Sequence, residues 1–401
     1  MKIYTGKGSI TLWALLGIWS VSALTSLPGL AISPLLGDLT TIFKTATELD
    51  IQMLTSLPSL LIIPFILLAG RLSDAVGYLH LLYMGLGLFL LSGVLYFLCD
   101  TMLELILVSA LLGVGAGIIT PLSTSLVSRF FVGDARTRQF GYCSAINNLA
   151  LVVATAVTGY LAEVTWRLPF VVYLLPAVSL LLVPHIKGAD AGSSAAGEAA
   201  SVAGVTSSSG TNYMSLLKLM LYYFFITFLV IVVSVNLPFL MKEYGHESGS
   251  VGDVTSLFFL SIMLPGLFLN KILEFLRGWV FLFSLLLIGG GLFIIFFNTA
   301  LAAMVVGVFL AGVGYGIAQP YIYDRTTKVA AADRVTFALA LVMTMNYVAI
   351  VVCPPIVDFL QEVSGVKSAG FAFALNGCLC VAGFVFLLVK MLAAKSVSDE
   401  E

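Results

Sequence analysis

The chain has 401 residues, 60% of them hydrophobic and 10% charged, with a mean hydropathy of +1.08. Soluble domains run at roughly 45–50% apolar and about 25% charged, so this composition places the protein in a membrane and excludes a cytosolic enzyme or a nucleic-acid binder. The net charge of -2 adds little, and Cys99, Cys143, Cys353, Cys378 and Cys380 form no CxxC or Cys/His cluster, which leaves them as small apolar residues.

Lys2 and Lys7 precede an apolar run that lacks a small-residue cleavage site, so the run reads as a retained first span at 10–33. Spans of about 20 apolar residues follow at 51–69, 79–98, 106–126, 140–162 and 168–183. A second six lie at 219–240, 254–269, 280–297, 301–322, 335–357 and 369–392. Between the sixes, 18 of the 24 residues in 188–211 are Ala, Gly or Ser, too little apolar surface to order a fold. The organisation expected is an all-α integral membrane protein of 12 transmembrane helices. A six-helix bundle at 1–187 and a second at 216–401 are joined by a flexible linker at 188–215. With the N-terminus in the cytoplasm, only Lys44, Arg167, Lys242 and Lys367 of the nineteen basic residues fall on the outer side. Basic residues accumulate in cytoplasmic loops, so both termini and the linker are expected in the cytoplasm, in a multi-pass protein of the cytoplasmic (inner) membrane.

The two sixes repeat one another. Span 4 carries Gly113-Val114-Gly115-Ala116-Gly117-Ile118-Ile119-Thr120-Pro121 and span 10 carries Gly312-Val313-Gly314-Tyr315-Gly316-Ile317-Ala318-Gln319-Pro320, both G-V-G-x-G-I-x-x-P at an offset of 199. The same offset carries Arg129 onto Lys328, Asp134 onto Asp333 and Asn147 onto Asn346; an offset of 200 carries Arg71 onto Lys271 and Asp74 onto Glu274. Since each copy has an even number of spans, both enter the membrane from one side, as parallel repeats do.

The loop after span 2, Gly70-Arg71-Leu72-Ser73-Asp74-Ala75-Val76-Gly77, is similar to the G-x-L-a-D-r-x-G-r-r-k signature of the major facilitator superfamily, and the whole chain resembles that family. Tyr78, Leu79 and His80 stand where the family usually has cations, and Ser109 stands where it has an Arg in span 4. The antiporter pattern G-x-x-x-G-P-x-x-G-G would fall on residues 150–159, where only Gly159 agrees. The resemblance implies a secondary transporter of the drug-efflux-like branch, built as two pseudo-symmetric six-helix bundles. It implies a monomer holding both halves, a lipid bilayer and a small-molecule substrate as partners, and protons as the ion that would couple.

Such a transporter needs a central site and gates whose contacts exchange. For the inner gate the candidates are Gly70, Arg71, Asp74, Arg129, Asp134, Arg136, Glu274 and Arg334, with Gly70 allowing close helix approach and the arginines pairing with Asp134, Asp324 or Glu274. The plainer reading of these charges is solvated topology markers worth ~0–1 kcal/mol each. At depth the spans hold no Asp, Glu, Lys, Arg or His, the nearest being Asp50, Glu163, Lys218, Asp253 and Asp358 at helix ends. That argues against a small anion as substrate and leaves proton coupling to a boundary carboxylate such as Asp50, Glu163 or Asp253.

The polar groups at depth are Asn147 and Asn148 on span 5 and Asn346 with Tyr347 on span 11. Tyr315 and Gln319 lie one turn apart on span 10, Trp19, Ser22 and Thr25 on span 1, and Tyr222, Tyr223 and Thr227 on span 7. The substrate-binding candidates are Trp19, Thr25, Asn147, Asn148, Tyr315, Gln319, Asn346 and Tyr347, with interhelical bonding at ~0.6–2 kcal/mol per bond the alternative for the amides. No catalytic residue, metal or cofactor is expected, because the histidines His80, His185 and His246 sit at span ends and no G-x-S-x-G occurs. The expected function is export of a small neutral or amphipathic organic solute by alternating access. A uniport facilitator or an ion-coupled importer is the alternative.

Overall fold

The structure, a computed structural model, describes residues 2–6, 8–32, 39, 42–43, 48–186, 211–245, 248–331, 334–366 and 368–398. Among these, nine helices are long and apolar enough to cross a membrane. Shorter apolar helices at Leu12–Ala23, Ser56–Leu72 and Asp253–Leu267 fall where spans 1, 2 and 8 were predicted. Together they account for all twelve predicted spans, and the protein is an all-α, multi-pass membrane protein. Ser33 and most of the linker lie outside the described residues.

Several helices outrun the apolar stretch that predicts them. Span 4 is Met102–Phe130, span 5 Gly133–Val164, span 7 Tyr213–Glu243, span 10 Leu301–Val329 and span 11 Val335–Ser364. The reason is that backbone hydrogen bonding continues past the point where hydrocarbon ends. The extra turns therefore carry charges such as Arg129, Arg136, Asp324 and Lys328 on rigid helix rather than on loop.

Span 1 departs from a simple span in two ways. It begins with a two-stranded antiparallel hairpin, β1 (Lys2–Tyr4) and β2 (Ser9–Thr11), whose register pairs Ile3 with Ile10. Val132, in the connection between spans 4 and 5, donates its N–H to the Thr5 carbonyl at 3.0 Å. Gly6, at φ +88°, lies so close that a Cβ would sit 2.6 Å from the Val132 oxygen. The helix Leu12–Ala23 then breaks at residues 24–26 before the short helix Leu27–Leu30. Pro28 causes the break, because it cannot donate to the Leu24 carbonyl and its ring crowds that group.

The repeated glycine motif does the same job in both copies. A Cβ on Gly113 or Gly117 would lie 2.7 Å from Pro58 or Phe65 of span 2, and one on Gly115 2.7 Å from Phe89 of span 3. In the second copy Gly312 and Gly316 face Phe258, Ser261 and Ile262 of span 8, while Gly314 faces Ser284 and Ile288 of span 9. The outer glycines seat one neighbour and the middle glycine the other, at offsets of 199 and 200. The protein forms two compact units. The first comprises Met1–Leu221 with Ile322–Tyr347, and the second Tyr222–Tyr321 with Val348–Glu401.

Candidate functional site

In the first unit a polar seam joins span 1 to spans 4 and 5. Trp19 Nε1 donates to Gln139 Oε1 at 3.0 Å, and its ring meets Tyr142 edge-on. Ser22 shares a 2.9 Å hydrogen bond with Ser123 of span 4. Asn147 then secures the break in span 1. Its Oδ1 accepts from Thr25 Oγ1 at 3.0 Å and from the Ser26 N–H at 3.2 Å, and its Nδ2 donates to Ser26 Oγ at 2.7 Å. Tyr347 adds its hydroxyl, donated to the Thr25 carbonyl at 3.4 Å. These partners hold Thr25 and Ser26 at the break, where backbone that leaves the helix at membrane depth needs them.

Thr25, Asn147 and Tyr347 are thus brought into one connected set, while Trp19 bonds separately to Gln139; all four are half-buried. Asn148 is buried and donates to the Ser144 carbonyl one turn back at 2.8 Å, so its amide serves its own helix. Asn346 is half-buried on span 11.

In the second unit a matching seam joins spans 7 and 10. Gln319 Nε2 donates to the Tyr223 hydroxyl at 3.0 Å, and Thr227 and Tyr315 share a 3.4 Å hydrogen bond one turn further along. The Tyr223 and Tyr315 rings stack with centroids 6.5 Å apart. Tyr315 and Gln319, chosen from sequence by their one-turn spacing, therefore share one aromatic and amide surface. A site of this kind offers flat apolar faces with a few fixed donors and acceptors, which suits an organic solute without a strong charge.

Three candidate gate residues of the first unit, Gly70, Arg71 and Arg136, meet residues 322–347. Asp324, 1% exposed, pairs through Oδ1 with Arg136 Nε at 3.2 Å and through Oδ2 with Lys328. Ser125 and Thr336 share a buried hydrogen bond of 2.5 Å, and Arg71 lies over the Phe337 ring at 5.5 Å. Gly70 meets the same helix so closely that a Cβ would stand 2.6 Å from Ala340 Cβ. Arg129 lies 4.4 Å over the Tyr78 ring, and Arg334 donates to the Tyr213 hydroxyl at 2.9 Å. Asp134 is exposed in the first turn of span 5, and Glu274 is exposed in the second unit. The Asp74 side chain and Asp333 lie outside the described residues.

Residues that sequence reasoning passed over are Gln139, Tyr142, Ser123, Ser125 and Thr336. Gln139 carried a usable signal, since it stands eight residues before Asn147 on the same helical face. Ser125 and Thr336 carried none, because small hydroxyls are common in apolar helices.

The family profile described as the Major Facilitator Superfamily matches residues 14–216 and 219–400. The quinolone resistance protein NorA of Staphylococcus aureus is 30% identical over 126 residues, 31% of this chain and 31% of NorA. The multidrug transporter protein MdtP of Bacillus subtilis is 29% identical over 147 residues, 36% of this chain and 26% of MdtP. The chain thus matches about a third of the length of these relatives. Two solved structures share the fold. One is the human organic anion transporter MFSD10 (TETRAN), with a TM-score of 0.72 at 18% identity over 94% of this chain and 98% of that one. The other is the proton:xylose symporter XylE, at 0.73 and 15% identity over 94% of each. With both halves matched, the chain belongs to the Major Facilitator Superfamily of membrane transporters.

Proposed function

We propose that the protein is a secondary transporter that exports a small neutral or amphipathic organic solute across the cytoplasmic membrane by alternating access. The observation that carries this reading is the polar character of the two seams. The bonds of the seams run between amides, hydroxyls and aromatic rings, and the middles of spans 1, 5, 7 and 10 carry no Asp, Glu, Lys, Arg or His in the sequence. A charged substrate held there would leave its charge uncompensated in a low-dielectric site. Likeness to a quinolone resistance protein and a multidrug transporter favours export and an amphipathic solute.

In this reading Trp19, Thr25, Asn147, Asn148, Tyr315, Gln319, Asn346 and Tyr347 contact the solute. Gly70, Arg71, Asp74, Arg129, Asp134, Arg136, Glu274 and Arg334 belong to the cytoplasmic gate, with Asp324 as the acid that Arg136 holds. Both termini and the linker 188–215 face the cytoplasm, since fifteen of nineteen basic residues then lie on that side. The bundles are 1–187 and 216–401, and the working form is a monomer. Proton coupling would run through a carboxylate at a helix boundary.

The test is flux of a lipophilic fluorescent solute in proteoliposomes, with and without an imposed pH gradient. Protein-dependent flux that falls at least about tenfold in Tyr315→Ala and Gln319→Ala, as loss of a binding contact of 1.4 kcal/mol or more requires, is the expected result. Flux indifferent to these substitutions overturns the site. The weak match to the antiporter pattern at 150–159 favours one second reading, a facilitator or importer. It is distinguished by flux down the solute gradient without proton movement.

A further inference from the structure

The two copies of the loop motif have diverged in what they face. At an offset of 200, Gly70-Arg71-Leu72-Ser73-Asp74-Ala75-Val76-Gly77 becomes Asn270-Lys271-Ile272-Leu273-Glu274-Phe275-Leu276-Arg277. In the first copy the guanidinium of the exposed Arg71 lies over the Phe337 ring, 5.5 Å from its centroid. In the second the segment forms a short amphipathic helix, Leu269–Leu276. Its inner face buries Leu269, and Leu276 with Ile272 and Leu273 packs on Val280, Ile317 and Tyr321.

The outer face presents an unusual set of groups. Phe268, Phe275 and Trp279 are 58%, 86% and 50% exposed. Lys271 and Arg277 are exposed among them, with Glu274 the one carboxylate on this face, and neither cation has an ion pair or hydrogen bond among the described residues. Large aromatics beside cations at the end of a transmembrane span are the composition of the headgroup level, where rings stay in the apolar boundary and cations reach phosphate.

Arg277 also sits at a cost. It holds φ +46°, the one non-glycine residue at positive φ among those described, at the position where the first copy has Gly77 at φ +87°. A bulky side chain there is worth about 1–3 kcal/mol of strain, sustained where surroundings repay it. Among the described residues no ion pair or hydrogen bond holds the exposed guanidinium.

We infer that the rim formed by Lys271, Arg277 and Trp279 binds the phosphate of an anionic glycerophospholipid, with Phe268 and Phe275 packed among its acyl chains. The inference rests on the membrane placement of the chain and not on the transported solute. Two cations outnumber the single carboxylate, which gives the face its preference for an anionic over a zwitterionic headgroup, and a fork of guanidinium donors suits phosphate oxygens.

The full chain in nanodiscs tests this by tryptophan quenching, with the Trp279 component taken as the difference between the wild type and Trp279→Phe. Brominated phosphatidylglycerol is expected to quench Trp279 more than the same fraction of brominated phosphatidylcholine. That advantage should fall about fivefold for each cation removed, in Lys271→Gln and in Lys271→Gln/Arg277→Gln. Raising ionic strength should erase it in the wild type, which keeps the proposal open to test even if the double variant misfolds. Equal quenching by the two lipids, an advantage that survives the double substitution, or one insensitive to salt each overturns the proposal. Displacement by soluble glycerol phosphate overturns the lipid as the occupant.

Discussion

At the scale of single residues, Asp324 has the sharpest consequence. Its carboxylate is buried between Arg136 and Lys328, and a buried pair that loses one partner leaves an uncompensated charge costing about 3–5 kcal/mol. Asp324→Asn keeps the shape and removes the charge, so the closed arrangement of residues 322–347 should weaken by about 3 kcal/mol, roughly a hundredfold in the closed-to-open ratio. Thiol labelling of a cysteine placed at the buried Ser125, in a background freed of native cysteines, should then accelerate. Adding Arg136→Gln should change little further, since the two groups act as one pair. A Ser125→Cys thiol that stays unreactive in Asp324→Asn would count against the gate. The pairing itself was only half legible in the sequence. In the sequence Asp324 is one of three acids, with Asp134 and Glu274, that Arg71, Arg129 and Arg136 could meet. Helix rotation and tertiary packing decide among them, giving Arg136 the carboxylate and Arg71 and Arg129 aromatic rings.

At the scale of elements, span 1 shows where sequence reasoning succeeds and where it stops. The break was legible, because Pro28 in an apolar run removes a helical donor wherever the run folds. The choice of Asn147 to secure it was not, since only the packing of span 1 on span 5 brings the amide to Ser26. The hairpin at residues 2–11 was missed for a related reason. Two strands of three residues are too short to be stable alone, and their support is the long-range contact of Thr5 and Gly6 with Val132. Span 9 was read more closely than the long spans, which outrun their predicted limits. Val280–Phe297 matches its predicted limits because apolar runs of that length dictate helix in a bilayer. Asn147→Ala removes three hydrogen bonds at about 0.6 kcal/mol each, so the set should cost roughly 2 kcal/mol. Amide hydrogen exchange at Ser26 should quicken and solute flux should fall. Asn148→Ala, which removes a bond within its own helix, should leave exchange at Ser26 near wild type. Equal behaviour of the two variants would show that the break does not depend on Asn147.

At the scale of the whole molecule, the sequence repeat and the compact units draw different boundaries. The repeat divides the chain near the linker, whereas residues 322–347 of the second copy pack with the first copy as a single unit. If the contacts that join 322–347 to spans 2, 4 and 5 form the gate proposed above, they dissolve once in each transport cycle. The bond between Ser125 and Thr336 is suited to test this, being buried and only 2.5 Å long between oxygens. Ser125→Cys/Thr336→Cys should form a disulfide under oxidation, after Cys99, Cys143, Cys353, Cys378 and Cys380 have been replaced. Oxidised protein should lose at least about tenfold in flux, as expected when binding-competent interconversion is blocked, and reduction should restore it. Each single-cysteine variant should be indifferent to oxidant. If the cross-linked protein transports at the rate of the reduced one, these contacts persist throughout the cycle and belong to the static framework, and the gate must be sought elsewhere in the chain.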